Sequence, residues 1–399
     1  MICKRSVWRC RVCMLAALRS LMSLMLAATP TCIAHATVQS ALGYWTLPVP
    51  QQGSVPLTHH RLAARIDAAA CGLCHPQPYE QWRKSLHARA DSMGLLGQLP
   101  ALAAATRGKC LECHTPRAEQ QALWAKSRTA AVGQLQGVDC AGCHVRKHQR
   151  FGANTRDDTP HGTVEALSLF QQSAFCAPCH QFGEDGVSLN GKPLENTYQE
   201  WLASRHAQEG RSCQTCHMPQ GQHHFRGIHD PQMTRRGLKL EVHRRSFGIE
   251  ARAWNVGAGH ALPTYPTPRI RLLLEWSEGK HRRRREHTIQ RHLDWNPIEG
   301  WRELSDTRLL PDQTAELLQP LAHSNQATLT VIVEPDADYH DRVYPELLAM
   351  LGDSLSEKDL ALLERAWLES GQSSYRLYRS NCPAWTGSDV LCPVTIPDP

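Results

Sequence analysis

The sequence lacks any apolar run long enough to cross a membrane, and it carries little net charge of either sign. No stretch reaches the roughly 18–20 uncharged residues of a spanning helix, which excludes a polytopic membrane protein. The formal net charge of the 399 residues is only +6. Apolar residues make up 41% and charged residues 21%, so the composition predicts a globular chain rather than a disordered one.

The first 36 residues have the pattern of an export signal. Four basic residues precede an apolar stretch at 12–28, and Ala34-His35-Ala36 matches a signal-peptidase site. The alternative is an uncleaved membrane anchor, which Arg19 within the apolar stretch disfavours. Cleavage would remove five positive charges and leave about +1, so no basic surface for nucleic acid would remain. We predict a signal peptide at 1–36, a periplasmic mature protein without a membrane span, and no nucleic-acid partner.

Ten of the cysteines form one motif, Cys-x-x-Cys-His, which occurs five times. This is the attachment signature of c-type haem: the two thiols form thioethers to one porphyrin, and the histidine becomes the proximal iron ligand. The predicted attachment cysteines are Cys71, Cys74, Cys110, Cys113, Cys140, Cys143, Cys176, Cys179, Cys213 and Cys216. The predicted proximal ligands are His75, His114, His144, His180 and His217.

Zinc sites and disulfides are the competing interpretations of the paired cysteines. Zinc sites built from Cys-x-x-Cys use two pairs at a time and would leave one pair over, and disulfides would not need a histidine after every pair. The motifs start 30 to 39 residues apart, which is too few residues for a separate domain around each haem. We therefore predict five covalent haems, packed against one another within residues 60–230.

A second histidine on an iron favours electron transfer, whereas an open position favours substrate chemistry. Eleven further histidines are available between residues 59 and 260. They are His59, His60, His87, His148, His161, His206, His223, His224, His229, His243 and His260. From these we select five distal candidates: His87, His206, His224, His229 and His260.

The selection of His87 and His206 rests on an internal repeat. YEQWRKSLHA at 79–88 and YQEWLASRHA at 198–207 share Tyr-x-x-Trp-x-x-Ser-x-His-Ala, which on a helix places an aromatic stripe beside the histidine. The alternative is a packed helix whose histidine is merely hydrogen-bonded. His224 and His229 follow the fifth motif in a Pro- and Gly-containing loop, and His260 lies in a Gly-rich loop at a strand end.

After residue 235 the motifs stop and strand patterns begin. Alternating or β-branched segments at 238–247, 252–256, 269–276 and 327–333 predict a small β-sandwich. We interpret the basic run at 281–287 as a solvated hairpin tip, with docking to propionates or to an acidic redox partner as the alternative. Residues 355–369 predict an amphipathic helix capped by Ser354 or Ser356. Cys382 and Cys392 then remain as a predicted disulfide.

The chain resembles the multihaem superfamily that includes pentahaem nitrite reductase, octahaem hydroxylamine oxidoreductase and the tetrahaem cytochrome that accepts the latter's electrons. The resemblance rests on CGLCHPQPYEQWRKSLHA, on CQTCHMP preceded by WLASRH, and on GHALPT, and it covers residues 65–265. The nitrite reductase resemblance would imply one motif ending in Lys, but all five end in His. That departure favours a carrier over an enzyme.

Together these observations predict an α+β protein in four parts. The parts are a signal peptide at 1–36, a mostly helical, loop-rich pentahaem domain at 37–235, a β-sandwich-like domain at 236–345, and a helix with a disulfide-closed tail at 346–399. We predict an electron carrier without catalytic residues, whose partners are donor and acceptor proteins such as a membrane-bound quinol-oxidising complex or a periplasmic reductase. The alternatives are an oxidoreductase with one open haem, acting on a small nitrogen or sulfur species, and a subunit that docks to an enzyme through its β domain.

Overall fold

The computed structural model describes residues 43–126, 135–296 and 300–397. The predicted signal peptide at 1–36 therefore lies outside the described residues. Within the described ranges, no helix has both the length and the apolar character needed to cross a membrane.

Short helices separated by loops make up the first part of the chain. Their bounds are α1 Ala68–Gly72, α2 Pro76–Trp82, α3 Met93–Gln98, α4 Ala104–His114, α5 Ala118–Lys126, α6 Cys140–His144, α7 Ala177–His180, α8 Thr197–Leu202, α9 Arg205–Gln208, α10 Cys213–His217 and α11 Pro231–Gly237. Five short strands lie between them: β1 Val145–Arg146, β2 Gln149–Gly152, β3 Val164–Ala166, β4 Ser188–Leu189 and β5 Lys192–Pro193. Most of these helices are too short to be stable alone, so packing must hold them.

Two of the helices that carry motif residues are started by aspartate caps. Asp67 accepts a hydrogen bond from the Ala70 amide at the start of α1, and Asp139 accepts one from the Gly142 amide at the start of α6. Asp139 is fully buried and forms a 2.6 Å ion pair with buried Arg117. The residue directly before the third motif thus forms both a helix cap and a buried ion pair, and both fix the start of the motif.

The second part of the chain is built from antiparallel strands. Their bounds are β6 Leu238–Arg245, β7 Gly248–Asn255, β8 Arg269–Glu278, β9 His281–Ile289, β10 Arg291–Asn296, β11 Gly300–Asp306, β12 Thr314–Pro320, β13 Ala327–Glu334, β14 Tyr375–Cys382, β15 Val390–Leu391 and β16 Val394–Thr395. A four-stranded sheet has the order β12-β7-β6-β15, and a five-stranded sheet has the order β16-β14-β13-β8-β9. Inward residues of both sheets share one apolar core, which includes Val242, Ala251, Leu272, Val331 and Leu377.

The four strand patterns read from the sequence correspond to β6, β7, β8 and β13. The basic run is not a hairpin tip but most of β9, an edge strand that pairs along its full length with β8. Its first six residues are exposed, so they carry no alternation of buried and exposed residues that a sequence pattern can reveal. The hairpin of β10 and β11, strand β12 and the C-terminal strands were also missed.

The C-terminal region contains two helices, α12 Tyr344–Leu351 and α13 Glu357–Gly371, and Ser356 caps the second. Cys382 and Cys392 form the expected disulfide, which ties β14 to the segment that carries β15. Helices and open sheets are thus both present, as an α+β chain requires, and the change from one to the other falls between α11 and β6. The predicted domain limits at 235 and 345 stay predictions.

Candidate haem-binding cavity

Each Cys-x-x-Cys-His sequence is part of a helical turn. In the second to fifth motifs the helix ends at the histidine, in α4, α6, α7 and α10. The first motif starts in α1, and its histidine, His75, precedes the first residue of α2. None of the ten motif cysteines is in a disulfide. Each motif therefore presents two free thiols and one imidazole from a short turn, which fits the donor set of c-type haem.

A single connected cavity of about 3120 Å³ runs through this part of the chain. All cysteines and histidines of the first four motifs line it, and residues of the fifth motif's turn, Gln214 and Thr215, do so as well. A pocket for one small molecule measures about 300–1,000 Å³. The cavity therefore has room for several large cofactors side by side, and its lining matches the chemistry of the haem group.

Four of the five proximal histidines face a second histidine across this space. The ring centroids are 6.3 Å apart for His75 and His161 and 6.2 Å apart for each of the other three pairs. Those three pairs are His180 with His87, His144 with His223, and His217 with His260.

A separation of 6.2–6.3 Å between ring centroids leaves space for one metal ion between the rings. Two metal–imidazole bonds of about 2.0–2.1 Å each, plus the short distance from each nitrogen to its ring centre, account for it. The uniformity of the spacing across four pairs from different loops is itself informative. His59 and His148, neither of which belongs to a motif, lie at a similar 6.4 Å but with their rings at 79°, whereas the rings of the four pairs are tilted by 17–46°.

Backbone carbonyls orient several of these rings. The Nδ1 atoms of His114, His144 and His217 lie 2.8, 2.8 and 2.6 Å from the carbonyl oxygens of Ala90, Phe151 and Arg226. His260 makes the same kind of contact with its neighbour, the Ala261 carbonyl, at 2.9 Å. A protonated Nδ1 that donates to a carbonyl leaves Nε2 unprotonated, which is the form that binds a metal ion.

Burial favours the neutral form of four of the paired imidazoles. Together with the charge of neighbouring histidines, it lowers the pKa of His87 to about 3 and the pKa of His180, His223 and His260 to about 4. A neutral imidazole has a free lone pair at neutral pH. The cavity thus holds its histidines in the protonation state that iron ligation requires.

His114 differs from the other four proximal histidines. Within the described ranges, no second imidazole makes a ring contact with it, although its Nδ1 is held by the Ala90 carbonyl like the others. The second motif would therefore bind an iron through one histidine, with no described histidine opposite. An iron held there would have a coordination position that no described histidine fills.

A group of polar side chains lines the cavity close to the second motif. The buried hydroxyls of Tyr265 and Tyr339 are hydrogen-bonded to each other, and both lie within electrostatic range of the Cys110 sulfur. His229 Nε2 lies 3.1 Å from Asp336 Oδ2, and both residues line the same space. Tyr339 also hydrogen-bonds Thr267. Such a set of hydroxyl, imidazole and carboxyl groups can donate and accept protons.

The motifs are neighbours in a defined order. Thiols of different motifs lie close enough to shift each other's pKa in three pairs, which are Cys71 with Cys140, Cys113 with Cys179, and Cys176 with Cys213. These contacts join the first motif to the third, the second to the fourth, and the fourth to the fifth. The third motif also lies close to the fourth, since Cys143 interacts electrostatically with both Cys176 and Cys179. The fourth motif is therefore the point at which three neighbours meet.

Two of the five distal candidates, His87 and His260, lie opposite proximal histidines. His206 does not, although its helical repeat forms like that of His87, with Tyr198 beside Trp201 as Tyr79 is beside Trp82. His206 is buried against the loop that carries His260: its ring carbon Cδ2 lies 3.4 Å from the position of a β-carbon built on Gly259. His229 pairs with Asp336 instead, and His224 is not among the residues that line the cavity.

The selection from the sequence missed His161 and His223. His161 lies in the loop between β2 and β3, where no periodic pattern points to it. His223 and His224 are adjacent in an irregular loop, and successive side chains of a loop point in different directions, so composition alone cannot choose between them. What distinguishes His223 is a long-range contact, because Gln81 of α2 accepts a 2.8 Å hydrogen bond from its backbone amide.

Comparisons with known proteins agree with this geometry. Residues 70–145 match the family model described as cytochrome c554 and c-prime, which spans the first three motifs. No curated protein sequence matches the chain. The structure is similar to the crystal structure of a penta-heme cytochrome c552 from Thermochromatium tepidum, with a TM-score of 0.52 and 19% sequence identity. The alignment covers 81% of this chain and 100% of that one. At this identity the match shows a shared fold, and the two findings together support a multihaem c-type cytochrome.

Proposed function

We propose that this chain is an exported pentahaem c-type cytochrome that carries electrons between periplasmic or membrane redox partners. The observation that carries the proposal is the set of four imidazole pairs with a common spacing of 6.2–6.3 Å. Two histidines on one iron close it to substrates and suit it to electron transfer. Haem c, when bound, supplies one-electron redox chemistry, and the protein tunes it through ligands, burial and hydrogen bonds.

The chain's own residues would do three things. The ten motif cysteines attach the cofactors, and His75, His144, His180 and His217 bind from one side while His161, His223, His87 and His260 bind from the other. The carbonyls that hold Nδ1 fix the orientation of the rings. Cysteines of different motifs lie beside each other, so the binding sites are adjacent, as a relay of electrons needs.

A second candidate function is supported by the second motif. His114 has no imidazole opposite within the described residues, and Tyr265, Tyr339 and the His229–Asp336 pair lie near Cys110. This arrangement suits an oxidoreductase that binds a small nitrogen or sulfur species at one open iron, with the polar side chains exchanging protons. The two functions share the four haem sites with paired histidines and differ only in the chemistry at the site of the second motif.

The test uses the purified haem-loaded protein. Mass spectrometry should give five haems on a chain that begins near Thr37, and chemical reductants should reduce all of them. The carrier function predicts that nitrite and hydroxylamine do not reoxidise or reduce the protein at a catalytic rate. Turnover of either compound would establish the second candidate instead, provided that Tyr339→Phe or His229→Gln abolishes it. The exposed control variant Glu184→Gln should leave that turnover unchanged. A protein without haem would contradict both.

A further inference from the structure

One half-buried carboxyl that faces the cavity has no ion-pair partner among the described residues. Glu195 follows the β4–β5 hairpin and lines the cavity. Its Oε1 accepts a 2.5 Å hydrogen bond from the Thr197 hydroxyl, and its backbone carbonyl accepts one from the Phe182 amide. Among the described residues, no lysine or arginine forms an ion pair with it. An unpaired buried carboxylate is costly, so the neutral form is favoured.

The surroundings of Glu195 place it between two motifs. Its charge acts on Cys113 of α4, whose sulfur meets Cys179 of the fourth motif. It also acts on Tyr265, in the loop before β8. Glu195 is therefore close to the site of the second motif, where an iron would be open, and to the fourth motif, where three neighbours meet.

The other ionisable groups that face Glu195 come from α8 and from the end of β11. Glu200 raises the pKa of Glu195 by repulsion, and Arg308 lowers it by attraction, but Arg308 is already bound to Asp306 and Glu200. Burial is the largest cause, and the net effect raises the pKa of Glu195 to about 7. The carboxyl is thus poised to change its protonation near neutral pH.

A hydrogen-bonded path leads to the carboxyl. The Thr197 hydroxyl that donates to Glu195 lies 2.7 Å from the Thr264 hydroxyl, and Arg308 Nη1 donates to the Thr264 carbonyl. Two hydroxyls in series can relay a proton from the boundary between the helical part and the strands. The geometry therefore gives Glu195 both a reason to take up a proton and a route for it.

We propose that Glu195 is a redox-linked proton acceptor, which takes up one proton from solvent when an electron enters the neighbouring haem sites and releases it when the electron leaves. The electron comes from the donor that the proposed function supplies, so the inference rests on that function. An added electron is a negative charge near the carboxylate, and the proton cancels it. By linkage, the electron raises the proton affinity of Glu195 as much as the proton raises the electron affinity of the site.

The experiment is a spectroscopic redox titration of the intact haem-loaded protein between pH 5 and 9. In the wild type, at least one midpoint potential should fall as the pH rises through neutrality. The slope should reach up to about 59 mV per pH unit, which is the value of a tenfold change in a one-electron equilibrium constant. In Glu195→Gln that slope should disappear, and in the exposed control Glu184→Gln it should remain.

A second variant decides the matter if Glu195→Gln does not fold. The Thr197 hydrogen bond lowers the pKa of Glu195, so Thr197→Val should move the pH-dependent window to higher pH. The haem propionates are the competing titratable groups. Three outcomes would overturn the inference: a midpoint potential of the wild type that does not depend on pH, a pH dependence that survives in Glu195→Gln, or a pH range that does not move in Thr197→Val. The proposed electron transfer would stand in each case. Failure of the haems to be reduced at all would instead contradict the proposed function.

Discussion

The number of paired histidines predicts the spin states of the haem-loaded protein. Among the residues that the structure describes, four proximal histidines have an imidazole opposite, and His114 does not. Because two strong nitrogen ligands give low-spin iron and one leaves it high-spin, four-fifths of the oxidised iron should be low-spin and one-fifth high-spin. Removing one distal histidine should then double the high-spin share to two-fifths. We choose His161→Ala, since His161 lies in a surface loop and its loss should disturb the core least.

Low-temperature electron paramagnetic resonance with spin quantitation measures this share, and mass spectrometry of the same sample confirms that five haems are still attached. His224→Ala is the matched control, because His224 lies beside a paired histidine but does not line the cavity. His206→Ala is the sharper comparison. The helical repeat predicts that it loses a ligand, whereas the structure predicts a high-spin share unchanged at one-fifth.

Three outcomes would refute this reasoning. A wild type with no high-spin iron would mean that His114 has a sixth ligand after all. An unchanged spectrum in His161→Ala would remove His161 from the ligand set. A doubled high-spin share in His206→Ala would restore the assignment made from the repeat and show that the loop at Gly259 is arranged differently when haem is bound.

Three further predictions concern stability and the open site. Asp139→Ala removes the cap of α6 and leaves buried Arg117 with only its longer 3.7 Å contact to Glu119, so it should cost about 3–5 kcal/mol in urea unfolding. Asp185→Ala breaks an exposed pair with Lys109 and should cost only about 0–1 kcal/mol. Replacing both Cys382 and Cys392 by Ser removes a disulfide that closes a loop with a sequence separation of 10, and this should lower the free energy of unfolding by about 2–3 kcal/mol. A urea midpoint that is the same in the double variant and in the wild type, or the same in oxidised and in reduced wild type, would contradict this. Tyr339→Phe removes a hydroxyl that interacts with Tyr265 and Thr267. The variant should change the cyanide affinity of the high-spin haem by roughly 2- to 10-fold, the equivalent of one hydrogen bond. The low-spin signals should stay as they are.

The sequence predicted those features that depend on local patterns. The spacing within each motif predicts the attachment residues, which stay a prediction. Alternation located β6, β7, β8 and β13, because a strand between a core and solvent shows its two faces in its composition. Ser356 as a cap and the disulfide between Cys382 and Cys392 are equally local. The change from helices to sheets was also visible, because the motifs end where the β-branched segments begin.

Distal ligands could not be assigned in this way, because each depends on a contact between distant segments. His87 follows the first motif but faces His180 of the fourth, and His161 follows the third but faces His75 of the first. The repeat around His87 and His206 predicted one helix through each ten-residue segment, but α2 ends at Trp82 and α8 at Leu202, and each histidine lies in the next helical turn, against different neighbours. Similar local sequence therefore gave one histidine that faces an imidazole and one that packs against Gly259.

The contacts between motifs bear on the choice between carrier and enzyme. Cys113 meets Cys179, so the site of the second motif is a direct neighbour of the fourth and is not isolated from the relay. An open iron in that place is useful to a carrier only as a tuned electron site, but it is essential to an enzyme. The variants separate these roles: His161→Ala should change the spin state at the first motif in either case, whereas Tyr339→Phe should affect only a reaction at the second motif. The carrier function predicts that Tyr339→Phe leaves electron transfer to partner proteins unchanged and that the protein turns over no small ligand. The haem of the second motif would then serve electron transfer alone.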